Sequence, residues 1–296
     1  MEPSLAPISI IIPTFNDAHF LKNCIDSINQ QSKLPLEVIV VDDGSNNENA
    51  RAVVDLPSFK DLNLKFIKIK NSGPSTARNA GHEISKAEFI LFLDADDLLP
   101  SNALDLYSQI LQELDEEFFG VCGQMENFGR VFNPKHPFIS ENNVDITQLG
   151  RKGGLQGQIS CFVLRSKYFQ LVKKFNQKLT HYEDFELLLK LFSKWKLKTI
   201  NSIVLRKRFH AQSLSNKNYQ NSFIGGKKFL HLARAKSLLP EIEISKREKE
   251  NFLTYGKQLF LHARFISSLK VFRDCFNSFH PEGLKEQIVA KFSRYF

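Results

Sequence analysis

The sequence carries no GxGxxG and no GxxxxGK[ST] after any strand-like run. Dinucleotide binding of the Rossmann kind and P-loop chemistry are therefore disfavoured, since both use such glycines to bring backbone N–H groups onto phosphate. Cysteine is scarce: Cys24, Cys122, Cys161 and Cys275 are scattered, with no CxxC pair. That pattern fits reduced thiols in a cytosolic protein and gives no zinc site. No apolar run is long enough for a transmembrane helix of about 18 residues or more. The apolar Ile8–Ile12 has no cationic leader and is too short for a signal peptide, so it reads as a first strand. Internal repeats and low-complexity tracts are absent.

What is present suits one large α/β domain with a smaller appendage: 296 residues, 42% hydrophobic and 11% aromatic. The net charge of +8 is uneven, because residues 206–296 hold 18 Lys and Arg against 7 Asp and Glu. That surplus of +11 leaves −3 for residues 1–205. A basic third of this kind fits an anionic partner (a membrane surface, nucleic acid or an acidic polymer), and equally a solvated charged face on ordinary helices.

Ile8–Ile12, Val38–Val41 and Phe89–Leu93 are short, wholly apolar runs, the pattern of strands buried on both faces. Leu64–Ile69 alternates apolar and basic residues, as an edge or half-buried strand does. Between them Leu21, Cys24, Ile25 and Ile28 recur at helical spacing, and Pro74 opens a helix reaching about Ser85. A further helix, with Ser101 as its N-cap, would set Leu106, Ile110 and Leu114 on one face. Repeated strand–helix units predict a doubly wound, mostly parallel sheet. The pattern breaks between about Asn127 and Gln158, where Asn133-Pro134, His136-Pro137, Gly150 and Gly153-Gly154 mark loops, whether substrate-binding or merely tolerated. It resumes at Ile159–Leu164, in a helix around Tyr182–Trp195 and in a strand from Thr199. From Asn221 the chain reads as helical and basic.

The chemistry gathers where apolar runs end in acids. Phe89–Leu93 runs straight into Asp94, Ala95, Asp96 and Asp97. The carboxyl edge of a parallel sheet is where ligands bind, and three like charges there call for a cation or strong donors. A divalent metal and a phosphorylated substrate fit that requirement. Val38–Val41 likewise ends in Asp42, Asp43 and Gly44, and the first strand ends in the polar turn Pro13-Thr14-Phe15-Asn16. Alone, such an ending can be an Asx-turn or a helix cap, but parallel strands bring all three to one edge. Arg78, in the first two turns of its helix, offers a fixed fork of donors for phosphate or carbonyl, or is a plain surface arginine. Thr180 and Glu183 form a candidate capping box for the next helix. On a helical wheel Glu183, Glu186, Lys190, Ser193 and Lys194 share a polar arc. Asp184 falls inside the apolar arc with Leu188, Leu191 and Trp195, where burial would raise its pKa as a general base requires. The other reading of Asp184 is a first-turn carboxylate favoured by the helix dipole. His210, at the end of a strand, is a candidate metal ligand or phosphate contact.

Six segments in this order resemble the family 2 glycosyltransferases, inverting enzymes of the GT-A fold. They are Ser9–Asn16, Val40–Ser45, Gly73–Gly81, Leu93–Asp97, Glu183-Asp184 and Arg208–Ser215, covering about residues 5–216. The resemblance implies a GT-A catalytic domain over 1–216, with a nucleotide-sugar-binding half at 5–125 and an acceptor-binding half at 126–216. A basic helical region over 217–296 would follow. It implies that Pro13, Thr14, Phe15, Asn16 and Asp43 hold the nucleotide, and that Arg78 contacts it. Asp94-Ala95-Asp96 corresponds to the DXD motif, with Asp96 on Mn²⁺ or Mg²⁺, Asp94 toward ribose or sugar, and Asp97 and His210 as candidate further ligands. Asp184 matches the catalytic base, and the stretch Gly153–Ser160 should face the acceptor.

The processive members' QxxRW motif is missing, since the one tryptophan, Trp195, follows Ser193-Lys194. Transfer of a single sugar, a hexose or N-acetylhexosamine, from a UDP-linked donor to a glycan or lipid-linked glycan in bacterial surface assembly is the implied activity. Beyond about Asn216 the resemblance fades. There Phe252, Tyr255, Leu259, Ile266, Leu269 and Phe276 form one stripe, and Leu284, Ile288, Val289 and Phe292 another. Basic amphipathic helices of this kind either lie on an anionic membrane, placing the enzyme on the inner face of the cytoplasmic membrane, or pack as a small bundle. The rival class is a non-catalytic nucleotide-sugar-binding protein or basic scaffold. Nucleic acid is not an expected partner, because the aromatic residues sit at core spacing and do not interleave with basic ones.

Overall fold

The computed structural model describes residues 5–46, 49–129, 158–209 and 219–261, with a few isolated helical positions beyond. The chain divides into two compact units, Met1–His210 and Ala211–Phe296.

The first unit is a mixed seven-stranded sheet in the order β3-β2-β1-β4-β6-β5-β7. Its strands are β1 (Ala6–Thr14), β2 (Pro35–Asp42), β3 (Leu64–Lys68), β4 (Phe89–Phe92), β5 (Phe118–Gly129), β6 (Phe162–Arg165) and β7 (Lys196–Phe209). The helices between them are α1 (Ala18–Asn29), α2 (Ala50–Val54), α3 (Pro74–Glu83), α4 (Ala103–Leu111), α5 (Ser166–Leu171) and α6 (Glu183–Phe192). β3, β2, β1 and β4 are mutually parallel, β6 runs antiparallel to both β4 and β5, and β7 is parallel to β5. Every strand but β6 therefore points its carboxyl end to one edge.

The apolar runs explain the centre of this sheet. Ile10–Ile12, Val38–Val41 and Ile90–Leu93 are fully buried, each side chain contributing roughly 1.5–3 kcal/mol relative to exposure. β3, with its basic alternation, lies at the sheet's edge. Crossovers carry the chain from β1 through α1 to β2 and on to β3, then back across through α3 to β4. The reversal puts a topological switch point between β1 and β4, where open α/β sheets bind ligands. Gly81 lets α3 close on this point: a Cβ there would meet Ile11 Cγ2 at 2.4 Å.

One helix face differs from expectation. α4 begins after Asn102, with no side-chain cap, and buries Ala103, Leu104, Tyr107, Ser108 and Leu111. Leu106 and Ile110 are only half-buried. Tyr107 sets this rotation, because its hydroxyl donates to the Cys161 carbonyl at 2.7 Å and so turns a polar-tipped ring into the core.

The second unit contains α7 (Tyr219–Ala235) and α8 (Glu241–Leu261), which pack together. Phe223 stacks on Tyr255 with centroids 4.2 Å apart, and Arg234 reaches both Glu241 and Glu248. Leu253 and Leu259 are buried, whereas Phe252 and Tyr255 are half-buried. Ile266, Leu269, Phe276 and the last stripe lie outside the described residues. Among the described residues no helix is long and apolar enough to cross a membrane.

Candidate active site

The turns after β1, β2 and β4 form one platform. β1 and β2 pair up to Thr14↔Asp42, and the Asp43 N–H donates to the Thr14 carbonyl at 2.9 Å. The Asn16 N–H donates to Ser45 Oγ at 2.9 Å, and Asn16 Oδ1 accepts from the Asn46 N–H at 3.0 Å. Asn16 holds φ at 57° and Gly44 at 79°. Gly44 also has no room for a Cβ, which would stand 2.7 Å from the Asn71 nitrogen. Pro13 is half-buried and Phe15 is exposed at the rim. Thr14 is buried and its hydroxyl has no partner. Asp43 is committed locally, since its two oxygens accept the backbone N–H groups of Ser72 and Gly73, each at 2.8 Å. That bond fixes the loop feeding α3.

Arg78 is not a surface residue: it is 5% exposed. Its guanidinium donates to Asp94 Oδ1 at 2.8 Å and lies 3.4 Å from Glu183 Oε1 and 3.6 Å from Asp184 Oδ1. The ring of Phe175 backs it at 5.3 Å. One cation thus joins the acid after β4 to the two acids that open α6. The reason is topological: α6 leads into β7, so its amino end reaches the edge where β4 ends.

Asp94, Asp96 and Asp97 bring one oxygen each within 4.8 Å of one another. The small, buried Ala95 lets the turn close, with the Asp97 N–H donating to the Asp94 carbonyl at 3.0 Å. Burial pushes the Asp94 carboxyl up, but the Arg78 guanidinium outweighs this and holds it below its ordinary range. Asp97 is 1% exposed; burial, then the charges of Asp94 and Asp96, push its carboxyl well above the usual carboxylate range. One Asp97 oxygen accepts the Arg208 N–H at 2.9 Å and the other has no hydrogen-bond partner. An orphaned buried oxygen beside two further carboxylates is the donor set of a hard divalent cation, so these residues fit Mn²⁺ or Mg²⁺. His210 lies outside the described residues.

Burial pushes the Asp184 carboxyl up to about 7; Arg78 opposes the shift, while the charges of Glu183 and Asp94 add to it. Asp184 Oδ1 has no hydrogen-bond partner. The helix around it differs from the wheel expectation in two ways. The residue before α6 is Tyr182, in a left-handed conformation with no side-chain cap, so Thr180 and Glu183 do not form a capping box. Neither Glu183 nor Glu186 lies on a solvent arc, because Glu183 turns to Arg78 and Glu186, 1% exposed, pairs with Lys190 at 2.9 Å. A wheel assigns burial by apolarity, and here a buried cation, Arg78, and a half-buried one, Lys190, draw the acids inward.

Three residues of this site carried no individual role in the sequence reading, Gln158 only as part of the stretch expected to face the acceptor. Gln158 Nε2 donates to Asp94 Oδ2 at 3.0 Å, and Lys207 donates to Gln158 Oε1. Arg208 Nε donates to the Asp96 carbonyl at 2.9 Å, its guanidinium held over Phe20 and Phe128 at 4.9 and 4.6 Å. The signal for Lys207 and Arg208 was the basic run before His210, at the edge reached by β7. The expectation for Gly153–Ser160 is described only from Gln158 onward. Ser160 Oγ accepts the Asp94 N–H at 3.4 Å.

The glycosyl transferase family 2 model matches residues 9–172. An uncharacterized glycosyltransferase of Rickettsia conorii is 31% identical over 71% of this chain and 35% of its own length. The chain thus spans about a third of the length of that relative. A GalNAc(5)-diNAcBac-PP-undecaprenol beta-1,3-glucosyltransferase of Campylobacter jejuni is 27% identical over 90% of this chain and 86% of its own. The crystal structure of S. aureus TarS 1-349 in complex with UDP-GlcNAc superposes with a TM-score of 0.67 at 18% identity, covering 96% of this chain and 84% of that one. The likeness gives the GT-A fold, with its central mostly parallel sheet.

Proposed function

The chain belongs to glycosyl transferase family 2, and from that premise we propose that it transfers one sugar from a UDP-linked donor to an acceptor hydroxyl with inversion. The observation that supports this most is the knot that half-buried Asp94, Glu183 and Asp184 form around the buried Arg78, beside the three-carboxylate turn. Three of its polar atoms, or of the platform next to it, are buried without a hydrogen-bond partner: Thr14 Oγ1, Arg78 Nε and Asp97 Oδ2. Buried polar groups are seldom left unmet by protein, water or a ligand, and these lie together at the edge where ligands bind.

In this reading Pro13, Thr14, Phe15, Asn16 and Asp43 form the nucleotide platform, and Asp94-Ala95-Asp96 face the donor. Asp96, with Asp97 and His210, would hold Mn²⁺ or Mg²⁺, whose charge would stabilise the diphosphate leaving group. Asp184 takes the acceptor hydroxyl proton as that oxygen bonds to the anomeric carbon. The bond from that carbon to the diphosphate oxygen breaks, and its electron pair departs with the nucleoside diphosphate. Attack from the opposite face turns an α-linked donor into a β-glycoside. A pKa near 7 suits such a base, which must be ionised before the step and hold a proton after it.

The donor and acceptor follow the relatives. TarS was crystallised with UDP-GlcNAc, and the Campylobacter enzyme is named for an undecaprenol-linked glycan. A hexosyl or N-acetylhexosaminyl transfer onto a glycan or lipid-linked glycan of surface assembly fits both. Residues 1–216 would be the catalytic domain and 217–296 a basic helical region on the inner face of the cytoplasmic membrane. A screen of nucleotide-sugars for thermal stabilisation and for hydrolysis, with Mn²⁺ and with EDTA, tests the reading. Stabilisation and Mn²⁺-dependent release of UDP are expected; indifference to every UDP-sugar would refute it.

A further inference from the structure

The Asp94 carboxylate is held from both sides. Arg78 donates to Oδ1 at 2.8 Å and the Gln158 amide to Oδ2 at 3.0 Å. Gln158 is itself steered, because its oxygen accepts from Lys207. An ammonium can only donate, so Lys207 fixes the amide's orientation and leaves its NH₂ for Asp94. With Lys207 absent the amide loses the anchor on its oxygen, and the side chain is no longer held against Asp94. Two fold features bring these groups together. Because β6 is antiparallel to β4, Gln158, just ahead of it, lies where β4 ends. On β7, Arg206 and Arg208 both lie against Phe128, and strand alternation turns Lys207 to the other face.

We propose that Gln158 and Lys207 are a positioning pair that sets Asp94 for the sugar of the donor, a role that rests on the reading of Asp94 as donor-facing. Neither residue touches the reacting atoms in this account. Their loss weakens recognition of the sugar portion and leaves recognition of the nucleotide unchanged.

The test compares UDP and UDP-N-acetylglucosamine binding, by calorimetry with Mn²⁺, in the wild type and in Gln158→Ala, Gln158→Glu, Lys207→Met, Lys207→Arg and the Gln158→Ala/Lys207→Met double variant. Gln158→Glu separates the roles, since it can keep the Lys207 contact yet cannot donate to Asp94 as a carboxylate. Expected is a roughly ten-fold loss for UDP-N-acetylglucosamine in Gln158→Ala, Gln158→Glu and Lys207→Met, about one lost hydrogen bond to a charged group, with UDP affinity unchanged. The double variant should lose no more than either single one, because both act through one bond, and Lys207→Arg should bind near the wild-type level. A wild-type-like Gln158→Glu, or equal losses for UDP and the UDP-sugar, would overturn the proposal and leave the pair a structural tie. A wild type that binds neither ligand would instead sink the nucleotide-sugar reading of the site.

Discussion

Replacing Arg78 by Met keeps much of the side-chain volume and deletes one charge that three acids share. The guanidinium lies 3.6 Å from Asp184. At an effective dielectric of about 20 a unit pair at this range is worth about 4 kcal/mol. One pKa unit corresponds to about 1.4 kcal/mol, so the ceiling on the Asp184 shift is about three units. Asp94 and Glu183 lose the same partner and compete for protons, so a rise of about one to two units above its value of about 7 is expected. The base works ionised, so kcat/KM of the wild type should climb as pH passes about 7, and in Arg78→Met the climb should move to higher pH. Stability gives a second readout with its own sign. Breaking a buried pair by removing one partner costs about 3–5 kcal/mol. Acids whose folded pKa is raised destabilise most when ionised. The melting deficit of Arg78→Met should therefore grow from pH 6 to pH 8. An unmoved pH–rate limb together with a pH-independent deficit would refute this account of the knot.

Asp97→Asn removes a buried acid that its neighbours push well above the ordinary range. The folded state of the wild type should lose stability as pH rises through that raised pKa. Without metal the variant should melt roughly 2–4 °C above the wild type at pH 8, the gap closing toward pH 5, and Mn²⁺ should stabilise it less. Differential scanning calorimetry at the two pH values reads both effects. Gly81→Ala would put a methyl 2.4 Å from Ile11 Cγ2, and overpacking of this kind costs about 1–3 kcal/mol. The urea midpoint should fall accordingly, and the Asp184-dependent pH limb should shift as α3 carries Arg78 away.

Much of this molecule was legible because its central strands are apolar on both faces and end in acids. That pattern predicts a mostly parallel sheet and the edge its acids share, but not the order of the strands. What escaped had a common cause. Gln158 sits in a stretch without periodicity, and its role depends on an antiparallel strand that brings it back beside Asp94. Lys207 could not be told from its two arginine neighbours without the alternation of β7. Glu183 was misplaced because a single-helix wheel cannot see Arg78 on another element, and Glu186 because its partner on the same helix, Lys190, is itself only half-buried. Tyr107 turned α4 through a hydrogen bond to Cys161, which no local spacing announces. Asp184 was singled out by the wheel for burial among leucines, whereas its charge environment is set first by burial and then by Arg78.

The most direct test of the central claim is to measure UDP binding and sugar transfer side by side in the wild type and in Asp184→Asn. The amide keeps the shape and cannot take the acceptor's proton. Transfer should fall by roughly 10²–10⁴-fold, the usual weight of a general base, while the affinity for UDP with Mn²⁺ stays at the wild-type value. Transfer by Asp184→Asn at the wild-type rate would contradict the account.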